Sequence, residues 1–205
     1  MIIKFFLYLL LSTALYAQSA SDILAKVQNK FHTINNFSAS FNQTFYKTQG
    51  KTGIHAYGKF FYKKKNKFNV ELNAINIISD GETIWNYNKN SNRVVISYLE
   101  KDPTSFSLER FVFDYPPQCV IKLIKDENVK NGEQLLELVP KNQKLQFKKV
   151  RILVSPDGMI SKLEVTDYID VRYVFQFSDI KYNQDLPDTK FTYSLPKGIQ
   201  IIDLR

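Results

Sequence analysis

The side chains able to do chemistry are few and poorly spaced for it. The sequence holds two histidines, His32 and His55. Neither falls in an HExxH, HxH or Cys/His spacing that would bring two ligands onto one metal ion. Cys119 is the single cysteine. It has no partner for a disulfide, and a lone cysteine in an apolar stretch reads as a small hydrophobe rather than a nucleophile. The acid pairs Asp167 with Asp170 and Asp185 with Asp188 sit in polar, turn-like contexts where carboxylates are solvated. A glycosidase would need two acids facing each other across a cleft, and no spacing here points to that. With 7 glycines in 205 residues, the chain shows no GxSxG elbow, no Walker loop and no GxGxxG after a strand. The sequence predicts a protein that is not an enzyme, with no catalytic residue, no metal and no cofactor.

What remains is charge and apolar surface. The formal charge is +8, or +7 once Lys4 leaves with a leader, which suits acidic partners, anionic headgroups or plain solubility. The sharpest cluster is Lys59, Lys63, Lys64, Lys65 and Lys67, with no acid between 59 and 67. Lysines of this kind guard edge strands and solvated turns, and they also suit a binding rim. Both readings stay open. Export argues against a nucleic-acid partner.

The elements that would position these residues follow from periodicity. Residues 1–17 read as a signal peptide: Lys4, an apolar run from Phe5 to Leu11, then small residues ending at Ala17. Cleavage after Ala17, with Ala20 as a second candidate, leaves one exported domain over 18–205. No cysteine stands at the cleavage site to take a lipid anchor. Ser21 to Asn35 reads as a helix, capped by Ser21 or Asp22, with Ile23, Leu24, Val27, Phe31 and Ile34 on one face. From Phe37 the period becomes two, with Phe37, Ala39, Phe41, Gln43 and Phe45 on one side. Further strands are expected over 54–63, 68–72, 75–79, 83–87 and 93–98, with a turn at Asp80-Gly81. Strands are also expected over 133–139, 144–154, 159–168, 171–182, 190–195 and 198–203, with a turn at Ser155-Pro156-Asp157-Gly158. Between Asp102 and Glu127 the alternation fails. There Phe106, Leu108, Phe111, Val112 and Phe113, followed by Pro116-Pro117 and Cys119 to Ile124, suggest short helices or irregular apolar segments that need cover from water.

The expected architecture is mainly β with a helical lid. It is an incomplete, strongly curved antiparallel barrel of about 11 strands, capped by the N-terminal helix and the short helices. Its concave face is apolar and would enclose either a hydrophobic cavity or a filled core; patterning alone allows both.

Several segments carry a family resemblance, in order along the chain. They are Phe37-Ser38-Ala39-Ser40-Phe41-Asn42-Gln43, Gly58 through Phe68 to Asn69, and Ile77 through Asn88 with Asp80-Gly81 and Trp85. Leu138-Val139-Pro140-Lys141, Asp157-Gly158 and the closing Phe191 to Asp203 complete the series. The chain resembles the periplasmic outer-membrane lipoprotein carrier family (LolA). The resemblance implies a periplasmic, monomeric carrier that takes the acyl chains of lipoproteins from an inner-membrane ABC-type releasing complex. It would hand them to the outer membrane or to a receptor there. Strand alternation, the uncovered apolar run and the resemblance together place Phe41, Phe60, Tyr62, Phe68, Trp85, Phe106, Leu108 and Phe111 in the cavity wall or lid. The resemblance alone places Lys64 where the family carries an arginine that latches barrel to lid, followed by proline where this chain has Lys65. A lysine keeps the charge and loses the planar five-donor fork, so the latch is expected to be looser or differently built. A same-fold receptor, an envelope-stress sensor and a carboxylate-dependent periplasmic hydrolase are the alternatives.

Overall fold

The fold is a computed structural model describing residues 18–46, 53–100, 107–130 and 132–205. The expected leader, residues 1–17, and Phe106 lie outside the described residues.

Helix α1 spans Ala20–Thr33. Its cap is Ser19, two residues before the first expected cap. Ser19 Oγ accepts from the Asp22 amide at 3.2 Å, and the Ser19 amide donates to Asp22 Oδ2 at 2.9 Å. This reciprocal pair satisfies two orphan donors of the first turn. Ile23, Val27 and Phe31 are buried along one face. Lys30 and His32 lie in the last turn, where positive charge suits the exposed carbonyls.

The strands are β1 (Asn36–Tyr46), β2 (Ile54–Lys63), β3 (Lys67–Leu72), β4 (Ile75–Asp80), β5 (Thr83–Asn88) and β6 (Arg93–Tyr98). They continue as β7 (Cys119–Ile124), β8 (Gln134–Pro140), β9 (Lys149–Val154), β10 (Ile160–Thr166), β11 (Arg172–Tyr182) and β12 (Gln200–Asp203). They form one strongly curved sheet in the order β12-β6-β5-β4-β3-β2-β1-β11-β10-β9-β8-β7. Among the described residues nothing pairs β12 with β7, so the barrel is open. Strand direction puts the β2–β3, β4–β5 and β9–β10 turns at one end, here the lid end. The β3–β4, β5–β6 and β10–β11 turns lie at the opposite, far end.

Register divides the two faces. Phe37 pairs with Tyr62 and Tyr62 with Phe68, while Ala39 pairs with Phe60 and Phe60 with Val70. These side chains share a buried cluster with α1, so theirs is the concave face. The other face carries Phe61, Asn69, Ile78, Trp85 and Ile96 in register. Both faces are apolar, and each needs cover.

The convex cover corrects the expected strand over 190–195. Residues Asp188–Phe191 form a 3-10 turn in a segment that crosses the face of the sheet rather than joining it. Asn69 Nδ2 donates to Lys190 O at 2.8 Å, Lys190 Nζ meets Glu71 at 2.6 Å, and Phe191 is fully buried. Tyr193 packs on Tyr87 at 5.6 Å. The alternation of Phe191, Tyr193 and Leu195 is that of an extended chain without a ladder partner. Because this segment runs from the lid end to the far end, β12 re-enters the sheet parallel to β6 instead of antiparallel. The expected strand over 144–154 likewise shortens to β9, and residues 119–124, expected as short helix or irregular apolar chain, form strand β7 paired with β8.

Gly58 sits where β2 and β3 approach closely. A Cβ built there would lie 1.8 Å from the Glu71 carbonyl oxygen, so β2 and β3 would have to part. Gly58→Ala is expected to cost about 2 kcal/mol, a fall in melting temperature of roughly 4–8 °C for a domain of this size. Thermal unfolding followed by circular dichroism checks it.

Candidate functional site

The concave wall is an array of rings. Phe41 lies 5.7 Å from Phe60, 5.4 Å from Phe177 and 6.0 Å from Phe175. Phe60 lies 5.7 Å from Phe37, and Phe37 lies 5.1 Å from Tyr62. Phe68 shares their face through its pairing with Tyr62. Leu108 and Phe111 join the same buried cluster from the opposite side. Of the wall and lid residues expected from sequence, Phe41, Phe60, Tyr62, Phe68, Leu108 and Phe111 come together. Trp85 does not: it pairs with Ile78 and Ile96 on the convex face, and Ile84 takes the inward place. A single step along a strand reverses the face of a side chain, and with both faces covered the alternation around Trp85 has two equally apolar phases.

Two elements cover this wall. Helix α1 is anchored by charge: Lys30 Nζ meets Asp157 Oδ2 at 2.8 Å and lies 4.0 Å over the Tyr182 ring. Tyr182 Oη and Ser155 Oγ also donate to Asp157, at 2.8 and 2.5 Å. Partial burial opposes the Asp157 charge, but these donors outweigh it and hold the carboxyl far below its usual range. Burial and the Asp157 carboxylate together push the Tyr182 hydroxyl far up. Gly158, at φ +87°, lets the β9–β10 turn reach the helix; a Cβ there would stand 3.1 Å from Lys26 O.

The second element, residues 107–118, includes a π-turn over Arg110–Asp114 and a 3-10 turn over Pro116–Gln118. Such π-turns are rare and recur at functional sites. Phe31 of α1 packs on Tyr62 at 5.7 Å and on Phe113 at 6.5 Å, so helix, wall and π-turn meet at one ring. Polar ties fix this element to its neighbours. Gln28 Nε2 donates to Val112 O at 3.0 Å and Ser107 Oγ to Asn66 Oδ1 at 2.5 Å. Glu109 Oε1 accepts from Tyr62 Oη at 2.5 Å and from the Asn66 amide at 3.2 Å. Burial, then the Glu109 carboxylate, pushes the Tyr62 hydroxyl far above its usual range, so it remains a donor at any physiological pH.

A family model described as outer membrane lipoprotein carrier protein LolA matches residues 32–194. The chain belongs to the LolA family. The outer-membrane lipoprotein carrier protein of Yersinia pestis (bv. Antiqua, strain Angola) is 27% identical over 198 residues, 95% of each chain. That of Yersinia enterocolitica is 26% identical over 199 residues, 96% of this chain and 95% of the relative. An uncharacterised conserved protein from Thermus thermophilus shares the fold, with a TM-score of 0.54 at 15% identity, over 90% of this chain and 98% of its own. The LolA name describes carriers, which are not an enzyme class. Among the described residues no group of three or more His, Cys, Asp or Glu side chains could hold a metal ion, and burial pushes the Cys119 thiol up, away from the reactive thiolate.

Lys64, expected from the resemblance to act as a latch, donates one Nζ hydrogen bond to His32 O in the last turn of α1, at 2.9 Å. The Lys64 amide adds a bond to Asn35 O at 3.0 Å. Lys65 adopts φ +70°, which the proline ring forbids, so this hairpin turn differs from the LolA pattern in backbone as well as side chain. Lys64 thus holds the anchored helix, and Glu109 holds the π-turn. Sequence reasoning missed Glu109. Its signal was a lone carboxylate in the apolar run from Leu108 to Phe113, where burying an acid is costly without donors to meet it. The lysine cluster is largely engaged within the fold: Lys63 and Lys67 meet Asp188 at 2.9 and 3.4 Å, and Lys59 donates to Ser40 Oγ at 3.1 Å.

Glu109→Ala leaves the Tyr62 hydroxyl and the Asn66 amide without their acceptor. Amide hydrogen exchange over residues 107–115 is expected to quicken by about tenfold or more, while the amides of α1 keep their protection. Asp157 sets a second expectation. Its folded-state pKa lies below the unfolded value near 4, so its stabilisation is complete above about pH 4 and is lost as pH falls toward the depressed value. Melting temperatures from about pH 5 to about pH 2 will fall less steeply for Asp157→Asn than for the native chain.

Proposed function

We propose that this protein is a periplasmic carrier that holds lipoprotein acyl chains against its concave aromatic face. The observation that carries the proposal is an apolar wall covered by two separately held elements, one anchored through Asp157 and one through Glu109. Such a cover exchanges apolar contacts with itself for apolar contacts with a ligand. The LolA relatives, named as outer-membrane lipoprotein carriers, support the same reading. On it, cargo comes from an inner-membrane ABC-type releasing complex and goes to the outer membrane or a receptor there, and the carrier works as a monomer.

Magnitude limits how the cargo is held. Each buried methylene gains roughly 0.8 kcal/mol, so three full acyl chains would exceed the approximate 18–21 kcal/mol ceiling of non-covalent affinity. A carrier must also release. Cargo is therefore buried in part, and opening of the 107–118 element offsets some of the gain. In the empty state the rings of Phe37, Phe41, Phe60 and Phe177 pack on one another.

The test mixes the purified exported protein with spheroplasts that synthesise a labelled lipoprotein and carry the matching releasing complex. Gel filtration should find lipoprotein in a soluble one-to-one complex. Lipoprotein that stays in the membrane, with folded protein present, would overturn the carrier reading and leave the family as a statement about fold.

A further inference from the structure

The two ends of the barrel differ in charge. At the lid end lysines alternate with Asp80, Glu82, Glu100, Asp126, Glu127 and Asp157. At the far end the described loops and strand ends carry Lys89, Arg93, Lys141, Lys144, Lys148 and Arg172, all exposed. Asp167 and Asp170 are the acids of those same loops among the described residues, and both are occupied. Asp170 pairs with Lys148 at 2.8 Å. Asp167 accepts from the Ile169 and Val171 amides at 3.0 and 2.8 Å and from Tyr173 Oη at 3.2 Å. Arg172 stands 3.8 Å from Glu164 and 4.3 Å over the Tyr46 ring. Lys89 and Lys141 donate to the backbone carbonyls of Leu72 and Pro117, so their charge is positioned but not neutralised.

The same end displays apolar side chains. Ile169, at the tip of the β10–β11 turn, is 79% exposed, with Tyr168 beside it at 46% and Ile54 at 63%. The strand order puts Ile54 two strands from β11, roughly 10 Å away at sheet spacing. The β10–β11 turn is not a loose loop. Its amides are tied by Asp167, which holds a β-branched side chain out into water. A rigid tip with an aliphatic residue, a tyrosine at interface depth and a surround in which cations outnumber acids matches the chemistry of a bilayer surface with anionic headgroups.

We infer that the far end of the barrel is a docking surface for anionic lipid bilayers, with Ile169 and Tyr168 entering the headgroup region. The lid end, with Lys64 and Glu109, then faces away from the membrane. The inference does not rest on the carrier reading, because the surface is built without reference to cargo.

The test is sedimentation of the exported protein with phosphatidylcholine vesicles, with and without phosphatidylglycerol, at low and raised salt. Binding is expected with phosphatidylglycerol at low salt, to weaken as salt screens it, and to be slight without the anionic lipid. Each removed charge should weaken partitioning by about fivefold, so Lys141→Gln with Lys144→Gln should weaken it more than about tenfold. Ile169→Ser, at an exposed position that leaves the core untouched, should weaken it several-fold without changing charge. Lys65→Gln, at the opposite end, should leave binding unaltered. An Ile169→Trp variant should shift its emission to the blue when vesicles are added. Absence of binding at low salt, or binding lost in Lys65→Gln and retained in Ile169→Ser, would overturn the inference. Binding that requires a membrane protein in the vesicle would overturn it too and assign this end to a protein partner. Vesicle binding without lipoprotein release from spheroplasts would uphold the docking surface while the carrier reading falls.

Discussion

An open, curved sheet with two apolar faces must cover both, and the rest of this molecule follows from that requirement. Closing the barrel would bury the concave face permanently. Leaving it open makes the cover a separate element, and a separate element can leave. Each large side chain that passes from water into this cover gains about 1.5–3 kcal/mol, against about 0.5–1.5 kcal/mol for a typical hydrogen bond. The cover is therefore held mainly by contacts that an acyl chain would reproduce. Hydrogen bonds fix where it sits.

The two covers of the concave face are held unequally, and the difference is physical. Helix α1 carries a charged anchor in which Lys30, Ser155 and Tyr182 converge on one carboxylate, with a glycine turn pressed against its backbone. Residues 107–118 contain a π-turn, a 3-10 turn and two acids, of which Glu109 bridges to the β2–β3 hairpin. Opening confined to the second element leaves the helix and the wall in place. The convex face has no such division: Phe191, Lys190 and Tyr193 lie across it in one segment that continues into β12, a cover tied into the sheet at its end.

Charge is distributed to the same effect. Of the lysines that stand out in sequence, Lys63, Lys64 and Lys67 turn to the fold's own carbonyls and to Asp188, and so serve the β2–β3 hairpin and helix α1. At the far end, where Lys141 also holds Pro117 of the cover, the exposed cations exceed the acids of the described loops, and the surplus faces outward. A molecule built this way has one end for closure and another for contact.

Much of this was legible without coordinates. Period-two alternation from Phe37 onward, the turn residues at Asp80-Gly81 and Pro156-Asp157-Gly158, and one amphipathic helix set the class of fold, because backbone geometry ties side-chain period to element type. The ring-bearing positions Phe41, Phe60, Tyr62 and Phe68 followed from the same periodicity and the LolA resemblance. Other features depended on tertiary structure. Trp85 changed face because strand alternation has no sign until something covers one side. Residues 190–195 became a strap rather than a strand because extended chain looks alike in and across a sheet. Glu109 emerged as a latch because its two donors, Tyr62 and Asn66, stand more than forty residues earlier in the chain, and pairing across that distance is decided by packing. Sequence by itself determined which segments are apolar and with what period. The tertiary structure decided which apolar face meets which cover, since that choice depends on contacts between distant residues rather than on any local pattern.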